Sequence, residues 1–577
     1  MWVTIHVNTI HVAMRTSLRF ASRAPRALPW FLTHRSAALH TRSAPDSRTT
    51  NNLIINSTRA RQLLDLHGEY GRSFDHINLS TCWSKLGKVI PADRTLLQSN
   101  DGACLSALRE QTIGQLSTFD PRHVSGTAHA LAKLDLQGAK WKRLWKELEG
   151  AALARKSELK PQGLANTAWA FATAGHAAPA LFDAIGTQSA ERVQAFKPQE
   201  LSNTAWAFAK AGHAAPALFD AIETESAGRL QEFTAQNLSN MAWAFATAGH
   251  AAPQLFEAIG AASTARVHEL APQHLANMAW AFAKAGYAAP ALLDAIGKAS
   301  AGRVREFKPQ ALASTAWAFS KAGHAAPALF DAIGKESAKR VRDFKPQALS
   351  GMLMAFATVG HPAPALFDAI GKEAAGRIHD FSPQALANTA WACAVSDHMP
   401  TSLFGQRFAR HCDALTDEFR TENLYQLHQW RLWYERERAC SSGLPGAALL
   451  ARCDAAFRSV ETQPTRMQRE VAQVAASLSS VQQEVLLKEG YRLHLVVDWR
   501  GERLTIEVDG PSRFVGHKPT GATLLKRRQL KHFGRRLVSV AYWEWYELSH
   551  ADKFMEREQR VAYLMKALTD ATALPNR

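Results

Sequence analysis

The sequence predicts an all-α solenoid of tandem 37-residue helix-turn-helix repeats, followed by a small C-terminal α/β domain. Three observations predict it. The text FKPQELSNTAWAFAKAGHAAPALFDAI returns in near-copies, and its tryptophan recurs at Trp169, Trp206, Trp243, Trp280, Trp317 and Trp391, with Met354 in the same slot. A fixed period of this size is the signature of a solenoid. After about residue 455 the repeat stops, and strand-like text, YRLHLVVDWRGERLTIEVDGPSRFV, follows. The composition, 46% hydrophobic and 21% charged, is that of a globular chain.

Each repeat reads as two helices. Pro198, Pro272, Pro309, Pro346 and Pro383 stand at helix starts, where the missing N–H costs nothing. Helix A then places Leu201, Ala205 and Phe208 on one apolar stripe. Gly212 falls where a helix end favours positive φ, and Pro216 opens helix B, whose Leu218, Phe219 and Ile222 supply the facing surface. One unit cannot bury both helices, so its neighbours complete the core. Looser copies around Trp83 and His129, and a degenerate one at Glu422–Trp433, extend the array to about ten units over residues 70–440.

On helix A, positions 163, 166, 170 and 173 are expected to share a face turned away from the apolar stripe. The first reads Gly163, Glu200, Asn237, His274, Ala311, Ala348, Ala385; the second Asn166, Asn203, Asn240, Asn277, Ser314, Gly351, Asn388. The last reads Thr173, Lys210, Thr247, Lys284, Lys321, Thr358, Val395. A constant framework with a varying polar face is the layout of a modular base reader; a solvated face that drifted after duplication is the alternative. The candidate RNA contacts are therefore Lys210, Lys284, Lys321, Glu200, Asn237, His274, Asn166, Asn203, Asn240 and Asn277. The recurring Arg192, Arg229, Arg266, Arg303, Arg340 and Arg377 suit either phosphate contacts or pairing with an acid of their own turn. His176, His213, His250, His324, His361 and His398 are spaced too widely for a metal ladder and read as helix-terminal caps.

Charge and cysteine usage narrow the class. There are 68 Lys and Arg against 51 Asp and Glu, a net charge of +17 that suits a polyanionic partner. The six cysteines form no C-x-x-C pair, so neither a disulfide framework nor a zinc finger is expected, and no metal site is assigned. No apolar run reaches about 18 residues, so no membrane insertion is expected. Residues 1–45 lack Asp, Glu and Lys but carry Arg15, Arg19, Arg23, Arg26, Arg35 and Arg42. Such text is what organelle import machinery reads, so residues 1–50 are expected to be an unfolded transit peptide, starting at Met1 or Met14. Arg in place of Lys points to the mitochondrion, with the plastid as the alternative.

The C-terminal text predicts a helical connector over 455–490 and an antiparallel hairpin of residues 493–498 and 504–509. A basic helix, Thr523–Phe533, follows with Lys526, Arg527, Arg528 and Lys531 as further RNA contacts; then come the strand LVSVAYWEW, a closing helix and a tail over 567–577. From 491 onward, 16 Lys and Arg face 10 Asp and Glu.

IEVDGPSRF, TGATLLKRRQLKHFG and LVSVAYWEW are similar to the RAP domain, over residues 491–566. The array upstream resembles octotricopeptide-type and FAST-kinase-like helical repeats. RAP domains in turn resemble a stripped PD-(D/E)xK nuclease, a restriction-endonuclease-like fold. That resemblance implies Asp498, Glu507, Asp509 and Glu470 as catalytic carboxylates, with Asp509 standing where the family's Lys belongs, and Lys518 or Lys526 as its substitutes. The other reading of Glu507 and Asp509 is that they order the turn at Gly510 and Ser512. No cofactor is expected, except Mg²⁺ or Mn²⁺ if the domain is a nuclease. Trp543 and Trp545 are candidates for stacking on bases or for burial in the strand. The resemblance implies an organelle RNA-binding protein acting in maturation, stability, processing or translation of mitochondrial transcripts or rRNA. The implied partners are single-stranded RNA and ribosomal or other RNA-processing proteins. A metal-dependent endoribonuclease and a protein–protein scaffold are the alternative functions.

Overall fold

The computed structural model describes residues 45–89, 102–440, 442–459, 463–549 and 552–573. The Arg-rich leader up to residue 44 lies outside them. Helix pairing begins at Ser47–Asn56 and Ala60–Tyr70, earlier than residue 70, and runs to Thr421–Leu432 and Ala447–Arg458. The expected boundaries at 50, 70, 440 and 455 are corrected accordingly. In the central unit helix A is Pro198–Ala211 and helix B is Pro216–Ala227, and a 3₁₀ turn, Leu230–Glu232, leads to the next unit.

The local reasons are those of the sequence. Prolines open the helices, and Gly212 closes helix A at φ 67°, in the left-handed region that a side chain would strain. Leu201, Ala205 and Phe208 are fully buried, against Leu218, Phe219 and Ile222 of helix B. The small Ala205, Ala207 and their equivalents let successive A helices pack closely, more closely than the B helices.

Two side-chain devices staple each unit to the one before it. Arg266 Nη1 donates to the Phe233 carbonyl at 2.7 Å while Nη2 pairs with Glu269 at 2.7 Å. Arg303 repeats this on Leu270 (2.9 Å) and Glu306 (2.9 Å). These guanidinium groups are thus used structurally. The recurring histidines reach back to an acid of the preceding helix B: His213 to Asp183 at 2.8 Å, His324 to Asp294 at 2.9 Å, His398 to Asp368 at 2.8 Å. They are bridges between repeats, which corrects their reading as caps.

The C-terminal domain is a four-stranded sheet in the order β1-β2-β3-β6, with β1 Val481–Leu486, β2 Arg492–Trp499, β3 Glu502–Asp509 and β6 Arg536–Ala541. A short ribbon of β4 (Phe514–Val515) and β5 (Lys518–Pro519) stands apart. β1, β2 and β3 are antiparallel neighbours, and β6 joins β3 in parallel. The helix expected throughout the connector stops at Leu478, and the text beyond it pairs as β1. WEW is not strand: Tyr542–Glu547 is helical, which brings Trp545 into the core. Helices Arg466–Leu478 and Lys553–Ala573 cover one sheet face, through Met467, Val471, Ala475, Leu564 and Leu568.

The other face carries the basic helix, Gly521–His532, and is pressed onto the solenoid. Leu525 belongs to the solenoid core. Gly521 is required by close approach: a Cβ there would run into the Ala357 carbonyl oxygen and Val395 of two A helices. Arg528 donates to the carbonyls of Ala394 and Val395 at the end of helix Pro383–Val395 and pairs with Glu437, so it meets both a carboxylate and the negative end of a helix dipole. A buried amide network completes the joint. Trp391 Nε1 donates to Gln429 Oε1 (2.8 Å), Gln429 donates to the Tyr491 hydroxyl (2.9 Å), Tyr491 donates to Gln529 Oε1 (2.6 Å), and Gln529 donates to the Gln429 carbonyl (3.0 Å). Buried amides left unpaired cost about 1–3 kcal/mol each, so this network fixes one docking geometry.

Candidate nucleic-acid interface

Each A helix is sheathed on all sides but one. In Pro198–Ala211, Gln199, Asn203, Trp206 and Lys210 form one row of side chains open to solvent along its length, with the half-buried Glu200 beside Gln199 at the helix start. Their spacing of i, i+4, i+7 and i+11 is a straight stripe on a 3.6-residue helix. The expected face at i, i+3, i+7 and i+10 shares its second and fourth positions with this row, while the first and third fall one residue beyond it. Its first column is a helix-start column: Glu200 accepts from the Lys197 N–H at 2.9 Å, and Asn237 accepts from the Thr234 N–H at 3.3 Å. Asn237, Ala311, Ala348 and Ala385 are buried, and burial holds His274 below the usual imidazole range. In this column Asn237 is buried, while Glu200 and His274 are half-buried at the edge of the stripe.

The second and fourth columns do lie on the open stripe. Asn166, Asn203, Asn240 and Asn277 are half-buried, Lys210 and Lys321 are exposed, and Lys284 Nζ sits 5.3 Å above the Trp280 ring. Gln162, Lys197, Gln199, Glu200, Asn166 and Asn203 line a shallow cleft of about 170 Å³ between two units.

Two further columns complete the stripe. A glutamine follows the first helical residue in the seven regular units, as Gln162, Gln199, Gln236, Gln273, Gln310, Gln347 and Gln384, and all are exposed. Gln273 donates to Asn277 at 2.9 Å, so the two amides act as a pair. The repeating tryptophans, serving as framework in the sequence reading, form a ladder of half-buried rings. Trp169, Trp206, Trp243, Trp280 and Trp317 follow one another at centroid distances of 6.4, 6.0, 6.2 and 6.2 Å, tilted by 29–34°. His129 extends it by packing on Trp169 at 4.9 Å. The signal for the glutamines was present in the P-Q dipeptide of the repeats. For the ladder it was absent, because period alone does not say which side of a helix meets solvent.

The C-terminal carboxylates do not form one cluster. Glu507 and Asp509 share a sheet face, but each is already paired. Glu507 is 2.6 Å from Lys526 Nζ; Asp509 is 2.6 Å from Arg527 Nη2 and accepts from Ser539 at 2.9 Å. Asp498 pairs in register with Arg503, four residues from Glu507 along β3 and so about 13 Å away. Glu470 lies on the opposite face, accepting from Trp545 Nε1 at 3.2 Å and paired with Arg466 and Arg560. Glu507 Oε1 lacks a hydrogen-bond partner among the described residues, but Oε2 of the same carboxylate is held by Lys526 and lies 3.3 Å from His494, and Asp509, the carboxylate on the same face, is itself paired. A divalent ion needs converging oxygens, and this set does not fit one.

The charge logic of that pair is one-sided. Burial pushes the Glu507 carboxyl up, but Lys526 and His494 outweigh it and hold the carboxyl below its usual range. Burial drives His494 down to about 4, and its Nδ1 accepts the Val508 N–H at 3.0 Å, so the ring is neutral at pH 7. Lys526, Arg527 and Arg528 thus face inward as structural cations, correcting their assignment to RNA, while Lys531 is exposed. Of the two aromatics, Trp545 is fully buried, and Trp543 lies half-open among Phe514 (4.4 Å), His517 (4.6 Å) and Tyr542 (5.1 Å).

Two family models match the chain. Residues 506–567 match the RAP domain, and residues 96–308 match the family described as RNA-editing substrate-binding complex 6 protein. No curated protein matches the chain.

Proposed function

We propose that this chain, a RAP-domain protein built on tandem helical repeats, binds single-stranded RNA along the open stripe of its A helices. The observation that carries the reading is the stripe itself: a continuous row of half-buried tryptophans flanked by paired amides and lysines. Aromatic faces accept any base by stacking, amides hydrogen-bond base edges, and cations offset phosphate charge. The excess of Lys and Arg is in keeping with a polyanionic ligand. Both matching families favour RNA metabolism. The rest of the proposal is post-transcriptional work on mitochondrial transcripts or rRNA, alongside ribosomal or RNA-processing proteins.

Equilibrium binding of the full chain to labelled single-stranded RNA tests it. Replacing Lys210 and Lys321 by Ala should lower the slope of log K against log salt by about 0.7 per lost contact. Gln199→Ala with Asn203→Ala, both solvent-facing changes, should alter sequence preference with little change in melting temperature. An unchanged slope and unchanged preference would return the stripe to a scaffold surface. The mitochondrial address rests on residues 1–45, and a reporter carrying them should enter mitochondria; cytosolic fluorescence would end that part of the reading.

A further inference from the structure

A second cleft, of about 610 Å³, opens between the end of the solenoid and the sheet of the RAP domain. Three walls meet there: the last solenoid turn with Arg436, the β1–β2 hairpin with Lys488 and Arg503 of the adjoining β3, and the end of the basic helix with His532 and Arg535. Glu489 is its one carboxylate, and Lys488 stands 3.6 Å from it. Arg503 donates to the neutral Gln482 amide at 2.6 Å. Among the described residues, Arg436 and Arg535 have no carboxylate within ion-pair distance, and the buried Nε of Arg535 has no hydrogen-bond partner. Arg266, Arg303 and Arg528, by contrast, are each paired with an acid.

Three guanidinium groups against one carboxylate, which Lys488 already neighbours, concentrate a positive potential in this concavity, because a low-dielectric wall focuses the field. Guanidinium forks match the oxygens of phosphate, and the volume is that of a nucleotide-sized ligand. A terminal phosphate carries about two charges and three free oxygens, whereas a bridging phosphate carries one and needs an open track. We infer that this cleft binds a terminal phosphate, held by Arg436, Arg503 and Arg535, on an RNA end or on a free nucleotide. The inference deepens the RNA-binding reading, but its site is separate from the stripe on the A helices.

The test compares one 12-nucleotide RNA bearing hydroxyl ends with versions carrying a 5′-phosphate or a 3′-phosphate, on the full chain. Inorganic pyrophosphate, followed by thermal melting, is the arm for a free ligand. One phosphorylated end should tighten binding at least about tenfold. Arg436→Gln combined with Arg535→Gln should erase that gain and leave binding of the hydroxyl-ended RNA unchanged. Both positions reach solvent, and matching melts without ligand establish that the variant folds. If no RNA binds but pyrophosphate raises the melting temperature of the wild type and not of the variant, the RNA reading fails and the phosphate site stands. Equal binding of all three RNAs with no effect of pyrophosphate overturns the site, as does a gain that persists in the double variant.

Discussion

Lys526→Ala is expected to destabilise the RAP domain by about 3–5 kcal/mol, the cost of leaving a buried charge without its partner. Glu507 is 3% exposed, and Lys526 Nζ lies 2.6 Å from it with a side chain that is itself mostly covered, so solvent screens the pair little. His494, the other group at this carboxylate, accepts from Val508 and stays neutral, so it cannot take over the role. Replacing both partners, Lys526→Met with Glu507→Leu, should recover most of the loss, because the apolar pair leaves no charge to desolvate. Urea unfolding of the four proteins of this cycle supplies the coupling energy. A single-variant loss below about 1 kcal/mol would mean that water reaches Glu507 and that the pair is not closed.

Acidification should unfold the same domain in two stages. His494 titrates near 4 in the folded chain and near 6.5 when unfolded, so between these values the unfolded state binds more protons. Stability therefore rises with pH across this window. Lowering the pH from 6.5 to 4 should remove on the order of 3 kcal/mol through His494 alone. His129, also held near 4 by burial, adds to the slope from within the solenoid. Glu507 acts later: its folded carboxyl lies below 4.5, so its contribution is intact above 4.5 and is lost only as pH falls through the lower folded value. Melting temperature against pH, for the wild type and His494→Asn, measures the first stage. A variant curve as steep between pH 4 and 6.5 as the wild type's would remove His494 as its cause.

The repeat architecture was legible because each of its determinants is local. Proline at the helix start, glycine at φ 67° after Ala211, and the Leu201, Ala205, Phe208 stripe act within one unit, and duplication prints them at a readable period. The hairpin of β2 and β3 was legible for the same reason, its turn lying at Arg500-Gly501. β1 was not: VQQEVL continues the polar text of the preceding helix, and although Gly490 at φ 90° turns the chain after it, only pairing with β2 makes it a strand.

What the sequence by itself determined is thus the class of fold, the repeat boundaries within the array and the chemistry available on it. What only the tertiary structure decided is which of those side chains are free to use it. Lys526, Arg527 and Arg528 read as a basic surface, yet Glu507, Asp509 and Glu437 claim all three. The tryptophans marked only the period of the repeat, yet close stacking of A helices leaves their rings half-open in one ladder. Asp498, Glu507 and Glu470 read as one cluster, yet strand register separates the first from the second and the sheet separates the third from both. Charge and aromaticity belong to a residue, whereas availability belongs to its neighbours, and those neighbours lie a hundred residues or more away in the chain, as with Gln429 and Gln529 or Ala394 and Arg528.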